Sequence, residues 1–360
     1  MKEINHGDFP RSIAIVSGKG GSGKTMIAAL MASIFSKNGI LTTLVDGDIG
    51  TGGLTYYLGL KKVENISLGL SNVLFSNAKD ESTLFIESKK WLQPVKKEDG
   101  FNFVGIGDHR RLFREHQKID FSEAMKKFFD GVNHLSELII VDCRGGIDPD
   151  SLDICKAVDE VIIVVETDTT SYQATQYLVD VLYENNLAHK MKGFIVNKAF
   201  DDPSSIARNG TASFRTQYLG AIPFDLAATR KFLVGEFPSL ESTFGNQLWL
   251  SLKKAYGERI KTPKRRPLEF SEFKEITLTN VDSQRGGLVL SSIVIIVFMM
   301  FQVGVIANDS NIIGQFSSIT GVMSILMLAL AASLEPIRKS IGRAFSIYID
   351  LLKKVMDRER

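Results

Sequence analysis

Ser17-Gly-Lys-Gly-Gly-Ser-Gly-Lys-Thr25 is the stretch on which the reading of this chain turns. From Gly18 to Thr25 it fits the spacing G-x-x-x-x-G-K-[ST]. Gly18, Gly20, Gly21 and Gly23 let successive backbone N–H groups curl around a polyphosphate. Lys24 brings a point charge to the outer phosphates, and the Thr25 hydroxyl is placed to ligate Mg²⁺. The apolar run 13–16 precedes the loop and a helical stretch from Lys24 to Lys37 follows it, so the phosphates meet a helix N-terminus. Ser22 within the loop and Met26 just after it complete the expected nucleotide-binding set, with Lys19 as an additional lysine behind the first glycine.

Working outward, seven apolar runs at 12–16, 41–45, 102–106, 138–141, 161–165, 193–196 and 219–222 read as strands. Helical periodicity lies between several of them, as at 121–135 and 172–183. Strands alternating with helices predict an α/β fold: a mostly parallel twisted sheet with helices on both faces. Ligands of such sheets lie beyond the carboxyl ends of the strands. Val45-Asp-Gly-Asp-Ile-Gly50 places two acids, Asp46 and Asp48, at one such end, a pairing suited to a metal shell and to orienting an attacking water. Leu138-Ile-Ile-Val-Asp142 is an apolar strand ending in an acid that can hold Mg²⁺ through a water. Thr25, Asp46, Asp48 and Asp142 are the expected metal residues.

The chain has 360 residues, 44% of them hydrophobic, and a formal net charge of +2. That content supports a core, and that charge predicts neither nucleic acid nor an acidic partner. The two cysteines, Cys143 and Cys155, lack zinc or C-x-x-C spacing, which makes a reducing compartment the default. No N-terminal run is long enough for a signal peptide.

Composition changes near residue 285. Segments 288–307 and 312–334 carry no charged residue, and about 20 apolar residues span a bilayer as a helix. They predict a transmembrane hairpin over 286–335. Basic residues flank it on both sides, and Asn308-Asp-Ser-Asn311 between the segments has none, so both flanks are expected in the cytoplasm of an inner-membrane, multi-pass protein. Segment 259–285 reads as a linker. Its Lys264-Arg-Arg266 run suits either contact with anionic lipid or a solvated tether. In 336–360, Ile341, Phe345, Tyr348, Leu352 and Val355 form one apolar stripe, an amphipathic helix for an interface, a partner or the preceding domain.

The second lysine makes the loop resemble the deviant phosphate loop of the ParA/MinD family of dimeric ATPases, closest to the MinD branch. The resemblance covers residues 11 to 258 of a 1–258 ATPase domain. It implies ATP and Mg²⁺ as ligands and a homodimer with ATP sandwiched at the interface, Lys19 reaching the partner's nucleotide. It also makes Asp48 the acid that positions the hydrolytic water, with Lys19 and Asp48 as the catalytic pair. Gly193-Phe-Ile-Val-Asn-Lys198 resembles the family strand whose terminal Asn, here Asn197, reads adenine. Leu219-Gly-Ala-Ile-Pro-Phe-Asp225 resembles the segment that packs Pro223 beside the base, and Gly235-Glu-Phe-Pro238 resembles the turn after it. Cys143-Arg-Gly-Gly146 stands where the family has D-x-P-A-G, with Arg144 replacing the proline. No basic cluster of the DNA-binding kind surrounds 167–176. The implied function is a membrane-anchored, ATP-dependent dimerisation switch that recruits, positions or regulates an unidentified partner protein. A nucleotide-binding scaffold with little hydrolysis is the alternative, and a capsule-type tyrosine kinase relative a lesser one.

Overall fold

The computed structural model describes residues 9–59, 68–75, 81–95, 100–115, 120–132, 134–200 and 202–261. The chain divides into two units, Met1–Thr277 and Leu278–Arg360, and every element below belongs to the first.

Eight strands form one sheet: β1 Ser12–Val16, β2 Thr42–Asp46, β3 Gln93–Pro94, β4 Asn102–Val104, β5 Leu138–Asp142, β6 Glu160–Glu166, β7 Met191–Ala199 and β8 Tyr218–Pro223. Their order is β3-β4-β2-β5-β1-β6-β7-β8. All pairings are parallel except β3 with β4. All seven expected strands are present. The two-residue β3 was not expected. It is too short to show alternation, and its Pro94 suits an edge, where no ladder donor is lost.

The alternation of strand side chains divides the interior in two. Ala14, Val16, Val45, Val104 and Val141 enter one core with Phe128, Ile154 and Leu178. Ile13, Ile15, Leu44, Phe103 and Ile140 enter the other, with Phe35, Leu248 and Leu252. Both faces of the central strands are therefore covered, which explains their unbroken apolar runs. On the second face lie α1 Lys24–Lys37, α2 Gly53–Gly59 and α11 Thr243–Tyr256. On the first lie α3 Leu70–Leu74, α4 Glu81–Trp91, α5 His109–Glu115, α6 Phe121–Val132, α7 Pro149–Ala157 and α8 Thr169–Glu184. α9 Ser204–Ser213 and α10 Leu226–Leu233 complete the set. In α6, Phe121, Ala124, Met125, Phe128, Phe129 and Val132 are buried, the i, i+3, i+4, i+7 stripe of a helix on a sheet. Each of its phenylalanines contributes about 1.5–3 kcal/mol by leaving water. The helix ends at Val132, three residues short of the expected 135.

The expected multi-pass placement in an inner membrane is corrected. Among the described residues no helix is long and apolar enough to cross a membrane. The charge-free segments of 286–335, nearly all of the linker 259–285, and the 336–360 stripe lie outside the described residues.

Candidate functional site

The phosphate loop connects β1 to α1, and Asp46 and Asp142 end the adjacent strands β2 and β5, paired in register. Gly47 N–H donates to the Asp142 carbonyl at 2.9 Å, joining the two strand ends. Both carboxyls are buried. Burial pushes Asp46 up to about 6. Burial, and then the neighbouring Asp46, push Asp142 up to about 7. Lys24 is buried as well and donates to Ser17 Oγ at 2.8 Å. Desolvation lowers its pKa, and the charge of Asp142 opposes that shift.

The two acids differ in what they already hold. Asp46 Oδ2 accepts from Thr55 N at 2.7 Å and Thr55 Oγ1 at 2.6 Å, and its Oδ1 accepts from Asp48 N at 3.1 Å. Asp142 Oδ1 is buried without a hydrogen-bond partner, which is costly unless something fills its place. The Thr25 hydroxyl acts on the same carboxyl. A half-empty acid beside a threonine hydroxyl at a phosphate loop fits Mg²⁺, which takes few protein oxygens and completes its shell with phosphate and water. No cluster of three or more His, Cys, Asp or Glu residues among the described residues could hold a metal by itself. Thr25 and Asp142 therefore fit an Mg²⁺ that arrives with nucleotide, whereas Asp46 is committed to α2.

Other elements brace the loop from outside. Asn197, buried at the end of β7, donates from Nδ2 to Ser22 O at 2.7 Å, and its Oδ1 has no partner. One of the two Nδ2 hydrogens is thus spent on the loop, while the Oδ1 acceptor has no partner. A Cβ on Gly23 would stand 2.4 Å from that Nδ2, and Gly23 sits at φ 86, so this position requires glycine twice over. A Cβ on Gly18 would fall 2.2 Å from the backbone of Ala174 in α8. Gly145 lies equally close: its added Cβ would be 2.6 Å from Gly20 Cα and 3.0 Å from Lys24 Nζ. Gly146 N–H donates to Ser17 O at 3.1 Å. The Cys143-Arg-Gly-Gly146 segment therefore lies on the loop despite Arg144 in place of proline. Pro223 ends β8 beside Ala199 of β7, and Met26 is buried in the first turn of α1.

At the mouth most contacts are between side chains. Lys19 Nζ donates to Asp168 at 3.0 and 3.2 Å and to Thr170 Oγ1 at 3.4 Å, and lies 3.7 Å from Glu166. The bond to Asp168 raises the Lys19 pKa. Lys198 bridges Glu166 Oε1, at 2.9 Å, and the Gly21 carbonyl. Asp48 is half-buried, and its carboxylate accepts from Thr51 N at 3.0 Å and Thr51 Oγ1 at 2.5 Å.

The family described as the CobQ/CobB/MinD/ParA nucleotide binding domain matches residues 13–238, more than half of the chain. The chain belongs to this family. It is 26% identical over 215 residues to an uncharacterized ATP-binding protein of Methanocaldococcus jannaschii, covering 59% of this chain and 74% of that one. It is 28% identical over 222 residues to the flagellum site-determining protein YlxH of Helicobacter pylori, covering 58% and 68%. Its fold matches the septum site-determining protein MinD of Pyrococcus horikoshii, solved with Mg-ADP, at a TM-score of 0.56 and 22% identity over 69% of this chain and 96% of that one. The MinD/ParA family is one of phosphate-loop ATPases, and nucleotide with Mg²⁺ is bound at the level of the family.

Several residues of this MinD/ParA site were not visible beforehand. Glu166, Lys198, Thr170 and Thr55 come from four different elements, and none lies in a motif that calls for charge or hydroxyl at that place. Lys198 directly follows Asn197, and Asp168 caps α8 through Ser171 N; those were the only sequence signals.

Proposed function

We propose that residues 1–258 form the ATPase domain of an ATP-dependent dimerisation switch. Two copies sandwich Mg-ATP, the dimer recruits or positions a partner protein, and hydrolysis resets it. The observation that carries this reading is the division between two lysines of one loop. Lys24 is buried and held by Ser17, suited to permanent contact with phosphate. The Lys19 side chain is about one-third exposed and held only by side chains at the rim, a contact it can exchange for the phosphate of a second subunit. Thr25 and Asp142 would hold the cation, whose charge would offset the negative charge on the phosphates. Asp48 gives up Thr51 to orient the attacking water, and Asn197 Oδ1 accepts from the base while Nδ2 keeps the loop in shape.

The test compares wild type with Lys19→Ala by light scattering and phosphate release under Mg-ATP and Mg-ADP. Wild type forms dimers in ATP only and turns it over. Lys19→Ala stays monomeric with turnover at background, while ADP affinity changes by less than a few-fold. Unchanged turnover in Lys19→Ala removes this mechanism. A wild-type ATP dimer that never turns over makes the chain a nucleotide-binding scaffold instead.

A further inference from the structure

Arg144 stands where the family has proline, and its side chain has no part in the site as built so far. Its backbone is held on both sides. Asp142 ends β5 just before it. After it, Gly145 packs against Gly20 and Lys24, and Gly146 N–H donates to Ser17 O at 3.1 Å. Asp148 then caps α7, accepting from Ser151 N at 3.1 Å. The side chain therefore starts from a point tied to the phosphate loop and to Lys24.

From there it runs over Gly50. A Cβ on Gly50 would stand 3.1 Å from Arg144 Nη1, 3.4 Å from its Cζ and 3.5 Å from Asp48 Oδ1. The guanidinium and the Asp48 carboxylate thus border the same small space, which the lack of a side chain at Gly50 leaves open. They are not bonded to each other, and Asp48 is spent on Thr51. Arg144 is exposed, and among the described residues its guanidinium has no hydrogen bond, ion pair or ring contact. The other cations of the site differ. Lys19 is paired with Asp168, Lys198 with Glu166, and Lys24 donates to Ser17 beside the charge of Asp142. Arg144 carries the charge that this set leaves uncompensated. A guanidinium fork matches phosphate oxygens in paired hydrogen bonds, whereas proline at the same place has no side-chain donor. An arginine on an open surface is a solvated charge. This one is anchored at the phosphate loop and lies beside the acid expected to orient the attacking water.

We propose that Arg144 is a specificity-determining residue that reads the third phosphate of ATP. With a diphosphate in the loop, its guanidinium stays in water over Gly50. With a triphosphate, it donates to the γ-phosphate oxygens. The distinction between the two nucleotides then rests on a side chain of the second switch segment. This deepens the switch proposed above and rests on its placing of ATP in the phosphate loop, but it requires no second subunit.

The full chain and its Lys19→Ala variant, each with and without Arg144→Ala, are titrated by calorimetry with Mg-ADP and with Mg-AMPPNP, a triphosphate analogue that resists hydrolysis. Arg144→Ala is expected to weaken AMPPNP roughly tenfold or more, as for a lost charged hydrogen bond, and to leave ADP within about twofold, which also reports an intact site. The same loss appears in the Lys19→Ala background, where dimerisation does not contribute. Arg144→Lys, which keeps the charge but not the fork, falls between wild type and Arg144→Ala. Equal weakening of ADP and AMPPNP makes Arg144 a structural residue and overturns the proposal. So does an AMPPNP affinity that Arg144→Ala leaves unchanged, or a loss seen only when Lys19 is present. Dimerisation is read separately by light scattering: if Lys19→Ala still dimerises while Arg144→Ala loses AMPPNP selectively, the dimerisation switch fails and the assignment of Arg144 stands.

Discussion

The inner half of the nucleotide site and its mouth are built differently. Inside, Lys24, Asp142 and Asn197 are buried, and the loop backbone is hemmed in by Gly145, Ala174 and Asn197 at distances where a single Cβ would collide. At the mouth, Lys19, Asp48, Asp168 and Lys198 are partly exposed and engage mainly side chains, with the backbone N–H groups of Thr51 and Ser171 and the Gly21 carbonyl besides. Backbone contacts of this tightness leave one arrangement, because a shift of any partner makes a clash or strands a polar group. Side-chain pairs in water exchange at little cost. The inner half is therefore suited to hold nucleotide in every state, and the mouth to change with it.

The sharpest way to break that contrast is Lys24→Ala. On the proposed reading, loss of a buried ammonium under the influence of Asp142 should weaken nucleotide binding on the order of 100-fold, as expected for charged hydrogen bonds. Calorimetry with Mg-ADP reads it, and retained affinity would move the phosphate contact elsewhere. Asp48→Ala at the mouth should do the opposite. It slows hydrolysis by about 100-fold, the share of a positioned general base, while Mg-ADP affinity stays within a few-fold. If affinity falls with it, Asp48 belongs to the inner half.

Gly145→Ala tests the packing of the second switch segment on the loop. Its methyl group would meet Gly20 and Lys24, and overpacking of this kind costs about 1–3 kcal/mol. Thermal unfolding of the nucleotide-free protein should shift down accordingly, and an unshifted midpoint would show that the segment has room to move. The smallest effect belongs to Asp168→Ala, which removes the α8 cap and the hold on Lys19. Cap loss costs about 1 kcal/mol. The Thr170 hydroxyl first, and then Ser171 N–H and Lys19, hold the Asp168 carboxyl well below the usual carboxylate range. A depressed acid stabilises the fold above its ordinary pKa, about 4, and loses that contribution as pH falls below it. The gap in Tm between wild type and Asp168→Ala should thus narrow on acidification from pH about 6 to about 3. A gap independent of pH would mean that the cap acts without its charge.

Much of this was legible before any fold. The loop from Gly18 to Thr25, the strand-end acids Asp46, Asp48 and Asp142, and the parallel sheet all follow from local rules: glycine spacing, an acid closing an apolar run, strands alternating with helices. Each signal lies within a few consecutive residues. The same local reasoning went too far at the C-terminal end. There, charge-free length alone suggested two spans, a placement corrected above.

The sequence by itself determined the type of site, because a glycine loop between a strand and a helix lays successive backbone N–H groups around a polyphosphate, and that pattern is contained in nine consecutive residues. The tertiary structure decided how each residue is employed. Asp46 and Asp142 look alike in sequence. The Thr55 contacts satisfy one, because α2 returns against β2, while among the described residues nothing donates to Oδ1 of the other. Asn197 reads as a base contact, and the fold also gives one of its amide hydrogens to Ser22 O. Lys19 reads as a residue for a second subunit, and here rests on Asp168, 149 positions along the chain. Such assignments depend on which groups from distant elements meet at a strand end, and that depends on strand order and helix packing.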